Sequence, residues 1–181
     1  MPVLFHVAVC LSGVTVVANR LAAADRKPTE YQVEAAYLFN FGKFVDWPPT
    51  SLPNTEAPLV VCVLGEDPFG SSLDSILQRG TVKGKAITAK RIGRVEEVAS
   101  CQVLYISASE AGSVDRILNG VGKISVLTVS DMPQFLDRGG MIQFVLEEGK
   151  IRFQINLNAA ENARLVLSSE LLKVAMTVKR K

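Results

Sequence analysis

The strongest constraint on the fold is an alternation of strand-like and helix-like segments over the middle of the 181-residue chain. Short apolar runs such as LVVCVL at 59–64 are typical of buried strands, and three of them are followed by Ser, Asp or Pro residues that favour the start of a helix. This order predicts an α/β single-domain sandwich with a mainly parallel central sheet flanked by helices. The predicted strands lie near 59–64, 87–91, 103–106 and 126–129, the predicted helices near 68–78, 109–119 and 133–138, and a shorter turn near 94–99.

The pattern changes after residue 141, where apolar and polar residues alternate. The segments 142–146 and 151–155 flank a Gly-containing turn, which predicts a C-terminal antiparallel hairpin. A box beginning at Asn158 is predicted to cap a short helix, and Ser168 is predicted to open a last helix that runs to about Val178.

The first element of the domain is predicted to be a helix that begins after Thr29. Thr29 and Gln32 have the spacing of a capping box, and the prolines at 48 and 49 are expected to stop the helix. Tyr37, Phe41 and Phe44 follow at helical spacing and form one aromatic stripe. Such a stripe packs into the core or, if exposed, forms a surface for a partner.

The N-terminal apolar run at 3–18, followed by AAA at 22–24, is typical of a secretory signal peptide. We therefore expect a signal peptide at 1–24 and a mature domain at 25–181. The alternative is a retained membrane anchor, although the run is shorter than a comfortable span. Removal would take away His6, which is the only histidine, and would lower the formal charge from +2 to +1 because Arg20 is the one charged residue lost. A nearly neutral domain has no electrostatic basis for binding nucleic acid.

A mature chain without imidazole excludes histidine-dependent triads and histidine-ligated metal sites. The sequence also lacks the G-x-S-x-G, G-x-G-x-x-G and Walker patterns. The adjacent carboxylates Glu147 and Glu148 fall at the predicted hairpin turn, where they are expected to be solvated. We therefore predict a protein that is not an enzyme and uses no cofactor or metal, although a carboxylate-only site built from distant segments stays open.

Two cysteines remain in the mature chain. Cys62 lies inside one predicted strand and Cys101 directly precedes another, so a disulfide is plausible if these strands are neighbours. The alternative is a pair of inert buried thiols, because cysteine is often a core residue. No C-x-x-C spacing is present, so a bridge would be structural.

The carboxyl ends of parallel strands meet at one edge of a sheet, where α/β proteins bind ligands. Asp67, Ser107 and Ser130 follow three predicted strands and are candidate ligand-binding residues at that edge. The alternative is that they only cap the helices that follow. Asp67 and Asp131 would repel an anion in either case.

The order of segments resembles the YfiR family of secreted bacterial proteins over roughly residues 31 to 175. Each motif is weak alone, and the order and spacing of the set make the resemblance specific. The motifs are YQVEAAYLFNFGKFVDWP at 31–48, VCVLGEDPFG at 61–70, CQVLYIS at 101–107, VLTVSDMP at 126–133, RGGMIQF at 138–144, RFQINL at 152–157 and LSSELLKVA at 167–175.

The resemblance implies a dimeric periplasmic regulator that binds the periplasmic part of an inner-membrane diguanylate cyclase and holds it inactive. It further implies an outer-membrane lipoprotein that sequesters the regulator, and a disulfide, since Cys62 and Cys101 fall where the family has a cysteine pair. The second cysteine pair of some relatives is absent from the mature chain. A different hypothesis is a periplasmic small-molecule sensor that uses the edge loops and acts on a histidine kinase or receptor.

A candidate partner surface lies on the predicted hairpin and the segment before it. Arginine, methionine and aromatic residues are enriched at the centres of interfaces, and this region is rich in them. The alternative is that its aromatic residues are core and its arginines are solvated. The candidate residues are Arg138, Met141, Phe144, Arg152 and Phe153.

Overall fold

The computed structural model describes residues 29–51 and 57–180. It contains a mainly parallel sheet with helices on both faces, and a separate small sheet. The described helices are α1 (Glu30–Phe44), α2 (Ser71–Leu77), α3 (Val114–Val121), α4 (Leu157–Asn162) and α5 (Ser169–Val174). The described strands are β1 (Val45–Asp46), β2 (Leu59–Leu64), β3 (Thr81–Val82), β4 (Lys85–Ile92), β5 (Val103–Ile106), β6 (Leu127–Ser130), β7 (Ile142–Glu147), β8 (Lys150–Asn156), β9 (Val166–Leu167) and β10 (Thr177–Lys179).

The large sheet has the strand order β10-β8-β7-β6-β5-β2-β4-β3. Its five middle strands, β4, β2, β5, β6 and β7, are parallel, whereas β8 and β10 run in the opposite direction and β3 pairs antiparallel with β4. Strands β2, β5 and β6 are nearly continuous runs of buried residues, because helices or turns cover both faces of the sheet. The predicted α/β sandwich is confirmed.

Helix α1 begins as predicted, because the Thr29 side chain accepts a hydrogen bond from the Gln32 amide and the Gln32 side chain accepts one from the Thr29 amide. Its aromatic stripe is only partly core. Phe41 is fully buried, Tyr37 is half-buried and Phe44 is 37% exposed. The reason is that the chain turns into β1, which pairs antiparallel with β9, so Phe44 lies at the margin of the core.

The predicted helix at 133–138 is wrong, because this segment forms consecutive turns. Gln134 has a φ of 61° and Gly139 a φ of 98°, and these values break the right-handed helical geometry. Gly140 is packed so tightly against Phe135 that a side chain at this position would overlap the ring. The helix predicted at 109–119 begins later, at Val114, after a short 3-10 turn at Ala108–Glu110.

The hairpin is confirmed as β7 and β8, with Phe144 opposite Phe153. Two details of the C-terminal region differ from the prediction. The residue that caps α4 is Asn156, whose side chain accepts from the Ala159 amide, so the expected cap at Asn158 is wrong. Helix α5 ends at Val174 and does not reach Val178, because the chain continues as β10 and extends the sheet beside β8.

The sheet separates two hydrophobic cores. The larger core lies under α1 and α2, where the rings of Tyr37, Phe41, Phe144 and Phe153 pack with centroid separations of 5.3–6.0 Å. These contacts hold α1 against the hairpin formed by β7 and β8.

The smaller core lies under α3 and contains the disulfide between Cys62 and Cys101. The expected pairing is confirmed, because β2 and β5 are adjacent and bring the two Cα atoms to 5.8 Å. Both cysteines are buried, so the bridge is a structural link between two central strands.

Candidate functional site at the carboxyl edge of the sheet

The three residues predicted to bind a ligand at the carboxyl edge are used in local hydrogen bonds. Asp67 pairs with Arg91 at 2.9 Å and accepts from the Phe69 amide. The Ser107 hydroxyl accepts from the Ser109 amide, as a cap does.

Ser130 is also engaged, since its fully buried hydroxyl donates to the Ile106 carbonyl at 2.7 Å and accepts from the Met132 amide. Of the three, only Ser107 caps a helical turn, because α2 has Gly70 at its cap position and the segment after Ser130 forms turns. Ligand binding by the three side chains stays a prediction.

A different set of polar groups meets at the same edge. Glu34 comes from α1, Tyr105 from β5 and Asp131 from the loop directly after β6. Glu34 is 3% exposed and Tyr105 is fully buried. Within the described part of the chain, Glu34 Oε2, Tyr105 Oη and Asp131 Oδ1 are the buried side-chain atoms that have no hydrogen-bond partner. A buried polar atom without a partner costs about 1–3 kcal/mol, so this cluster is unusual for a purely structural core.

Helical spacing brings Glu34 into the interior. Glu34, Leu38 and Phe41 lie at i, i+4 and i+7, which is one face of α1, and this face packs on the sheet. On β5, alternation turns Tyr105 toward α1. The Tyr105 ring packs edge-on against Phe69 at 4.7 Å, and Phe69 packs in turn against Tyr31 at 5.8 Å.

Burial, together with the negative charges of Asp131 and Glu30, raises the pKa of Glu34 to about 8. Tyr105 opposes this increase, although its hydroxyl makes no hydrogen bond of good geometry with Glu34. Burial is also the main cause that raises the pKa of Tyr105, followed by the charges of Glu34 and Asp131. At neutral pH Glu34 is therefore mainly protonated.

The cluster opens into a pocket of about 320 Å³ between α1, the hairpin and the loop after β6. Tyr31 lies at its mouth, 37% exposed, and donates a long hydrogen bond of 3.3 Å to Asp131 Oδ2. Part of the wall is apolar, and the described lining contains no lysine or arginine. The lining residues are Glu30, Tyr31, Glu34, Asp131, Pro133, Gln143, Phe144, Val145, Leu146 and Ile151.

A larger groove of about 730 Å³ lies beside α3 and α4. Of its charged residues, Asp137 and Lys179 are paired with each other at 2.7 Å and Glu161 is exposed, and Asn156 serves as the cap of α4. None of the unpartnered buried atoms lines this groove. The pocket lined by Glu34 is therefore a better candidate ligand site than the groove, although it is smaller.

The five residues predicted to form a partner surface are divided between core and surface. Met141, Phe144 and Phe153 are buried, with Phe144 and Phe153 in the aromatic cluster under α1, so their side chains do not form an exposed surface. Arg152 is exposed. Arg138 is exposed and makes a two-pronged ion pair with Asp115, at 2.7 and 2.9 Å. Two arginines of the five are therefore accessible to a partner.

Little in the sequence pointed to the pocket residues. Glu34 lies among apolar residues of α1 and Tyr105 lies within an apolar strand, so both had the pattern of ordinary core positions. Asp131 follows a strand and was distinguishable only as an acidic loop residue. Over 29–51 and 57–180, no group of three or more metal-ligating side chains occurs, and none of the helices has the length and apolar character needed to cross a membrane.

These features define a disulfide-bonded α/β domain with a polar pocket at the carboxyl edge of a parallel sheet. The chain belongs to the YfiR/HmsC-like family, whose model matches residues 31–176. Membership of this family indicates a periplasmic regulatory protein rather than a catalytic one, and the disulfide is consistent with an oxidising compartment. The signal peptide expected at 1–24 lies outside the described residues.

The solved structures that match this chain include two from bacteria. The ABC domain in complex with L-Trp from Streptococcus pneumoniae is 10% identical, with a TM-score of 0.57, and the match covers 80% of this chain and 60% of that one. A conserved domain protein from Vibrio cholerae is 13% identical, with a TM-score of 0.47, and the match covers 66% of this chain and 54% of that one. This chain thus spans little more than half the length of both. Among curated proteins, none matches the sequence.

Proposed function

We propose that this protein is a periplasmic regulator that binds the periplasmic part of an inner-membrane diguanylate cyclase and represses it. The observation that carries this proposal is the family match over residues 31–176, which spans nearly all of the described domain. Repression by binding requires that the regulator has higher affinity for the inactive form of the cyclase than for the active form. An outer-membrane lipoprotein that sequesters the regulator would relieve this repression, and the regulator would act as a homodimer.

The exposed arginines are the side chains through which we propose that the partner is recognised. Arg152 lies on β8, between the buried residues Ile151 and Phe153, so its side chain leaves the sheet on the face opposite to α1. Arg138 is held by Asp115 and by the Ala111 carbonyl, which fixes its position at the surface. An arginine whose position is already fixed loses less conformational entropy when it binds a partner.

Cross-linking in living cells, followed by mass spectrometry, tests the proposal. We expect a membrane-bound diguanylate cyclase among the captured proteins, and we expect deletion of the regulator to raise cyclic di-GMP. Arg152→Glu should reduce capture of the cyclase, whereas Arg116→Glu, an exposed charge reversal on α3, should leave it unchanged. Unchanged cyclic di-GMP after deletion, together with capture of no cyclase, would contradict the proposal.

Arg138 needs a separate control because its charge reversal also breaks an ion pair. We expect Arg138→Asp to weaken capture, and we expect the charge-swapped variant that adds Asp115→Arg to restore the ion pair but not the capture. Recovery of capture in the swapped variant would show that the ion pair matters only for the local structure.

A second candidate function is a periplasmic small-molecule sensor that acts on a histidine kinase or receptor. The observation that favours it is the pocket with unpartnered buried groups at the carboxyl edge. Cross-linking that captures a kinase or receptor and no cyclase would favour this second function.

A further inference from the structure

The pocket at the carboxyl edge combines an accessible opening with buried polar atoms that the described residues leave unpaired. Glu34 lines the pocket although only 3% of its surface is exposed. Its Oε2 atom has no hydrogen-bond partner among the described residues. Tyr105 Oη and Asp131 Oδ1 adjoin it and are also unpartnered. Buried polar groups in folded proteins are nearly always hydrogen-bonded, so this arrangement fits a molecule that supplies donors.

The charges of the lining residues determine which ligands the pocket favours. Carboxyl groups come from Glu30, Glu34 and Asp131, and none of the described residues that line the pocket is basic. The ring of Tyr31 at the mouth offers a π-face to a cation. A ligand with its own carboxylate would be repelled by the charges of Glu30 and Asp131.

The apolar residues of the lining favour a ligand that also has an apolar part. Leu146 is 56% exposed at the rim and Val145 is half-buried, whereas Phe144 and Ile151 are buried behind them. These side chains offer an apolar surface on the hairpin, whereas the polar groups come from α1 and the loop after β6. We propose that this pocket binds a small primary amine with an apolar body, whose ammonium group donates hydrogen bonds to Glu34 and Asp131 while the body packs against the hairpin.

Binding of the amine is coupled to release of a proton. The pKa of Glu34 in the free protein is about 8, so its carboxyl group is mainly protonated at neutral pH. Among the described residues, the groups that face Glu34 are Glu30, Asp131, Tyr31 and Tyr105, and none of these four is a cation. When R–NH₃⁺ enters, the carboxyl group of Glu34 loses its proton to solvent and the resulting carboxylate accepts from the ammonium. At pH values below the pKa of Glu34 in the free protein, the affinity for the amine should therefore rise by up to about tenfold for each unit by which the pH rises.

Isothermal titration calorimetry of the purified mature protein tests this proposal with two matched pairs of probes. Phenethylamine and isoamylamine carry an ammonium and an apolar body, and phenylalanine and leucine add only the α-carboxylate. We expect both amines to bind and both amino acids to bind at least about tenfold more weakly. Titration in two buffers with different ionisation enthalpies should show release of protons at about pH 7. Failure of both amines to bind, or equal binding of amines and amino acids, would overturn the proposal.

Two variants locate the site. Glu34→Gln removes the carboxylate with little change in shape and should weaken amine binding by about tenfold or more and abolish the proton release. Asp131→Asn, which is less buried, should also weaken binding but retain the proton release. Glu161→Gln on α4 is the matched control and should bind as the wild type does. Equal effects of all three substitutions would place the binding elsewhere and overturn the proposal.

These measurements use the purified protein alone, so their outcome does not depend on the proposed repression of a cyclase. If amines bind but no cyclase is captured in cells, the pocket is supported and the proposed function is not. If a cyclase is captured and amines do not bind, the opposite holds.

Discussion

The buried carboxyl group of Glu34 should make the folded protein less stable as the pH rises. Its pKa is raised from 4.5 to about 8, first by burial and then by the charge of Asp131. Between these two values the unfolded chain releases a proton that the folded chain retains, so rising pH favours unfolding in this window and has no such effect below it. The free energy of unfolding should fall by about 5 kcal/mol in total across this window, because each pH unit between the two pKa values contributes about 1.4 kcal/mol.

The Glu34→Gln variant removes this titration while it keeps a neutral group of similar shape. Relative to the wild type, its free energy of unfolding should be similar near pH 4, higher by about 3 kcal/mol at pH 7 and higher by about 5 kcal/mol above pH 8. Urea unfolding curves from about pH 4 to about pH 9 measure these differences, with the slope against urea expected to stay unchanged.

Glu161→Gln serves as the control for this experiment, because it removes an exposed carboxyl group elsewhere on the surface. Its difference from the wild type should be small at every pH. A difference between Glu34→Gln and the wild type that stays constant over the whole pH range would refute the reasoning, since it would mean that Glu34 ionises alike in the folded and unfolded chains.

Three further changes have expected effects on the free energy of unfolding, measured by urea titration. Reduction of the bridge between Cys62 and Cys101 should lower it by about 4 kcal/mol through the entropy of the unfolded chain, and equal stability with and without reductant would contradict this. Phe41→Ala should lower it by about 3–5 kcal/mol because the ring is fully buried, whereas Phe44→Ala, at the margin of the core, should cost clearly less; equal losses would contradict the packing. Thr29→Ala should cost about 1 kcal/mol through loss of the α1 cap, and no loss would contradict the capping box.

Much of the local structure was predictable because local rules determine it. The strands at 59–64 and 103–106 were placed at their observed bounds, and the start of α1 followed from the capping box at Thr29. The errors arose where tertiary contacts override the local pattern. The turns at 133–138 depend on the packing of Phe135 against Gly140, and β10 forms only because β8 offers an edge for it to pair with.

The polar pocket is the feature that the sequence could not reveal. Periodicity places Glu34 on the inner face of α1 and Tyr105 on one face of β5, but it does not say which residues these faces meet. Only the packing of α1 across the carboxyl ends of β5 and β6 brings both beside Asp131. Glu34 Oε2 and Tyr105 Oη then have no hydrogen-bond partner among the described residues.

By itself, the sequence determined the α/β class, the family and the two cysteines available for a disulfide, because these follow from patterns along the chain. The tertiary structure decided that the cysteines are bonded and that Met141, Phe144 and Phe153 are buried rather than exposed. The physical reason is that burial depends on contacts between distant segments. These contacts determine whether a side chain meets solvent, a neighbour or a pocket.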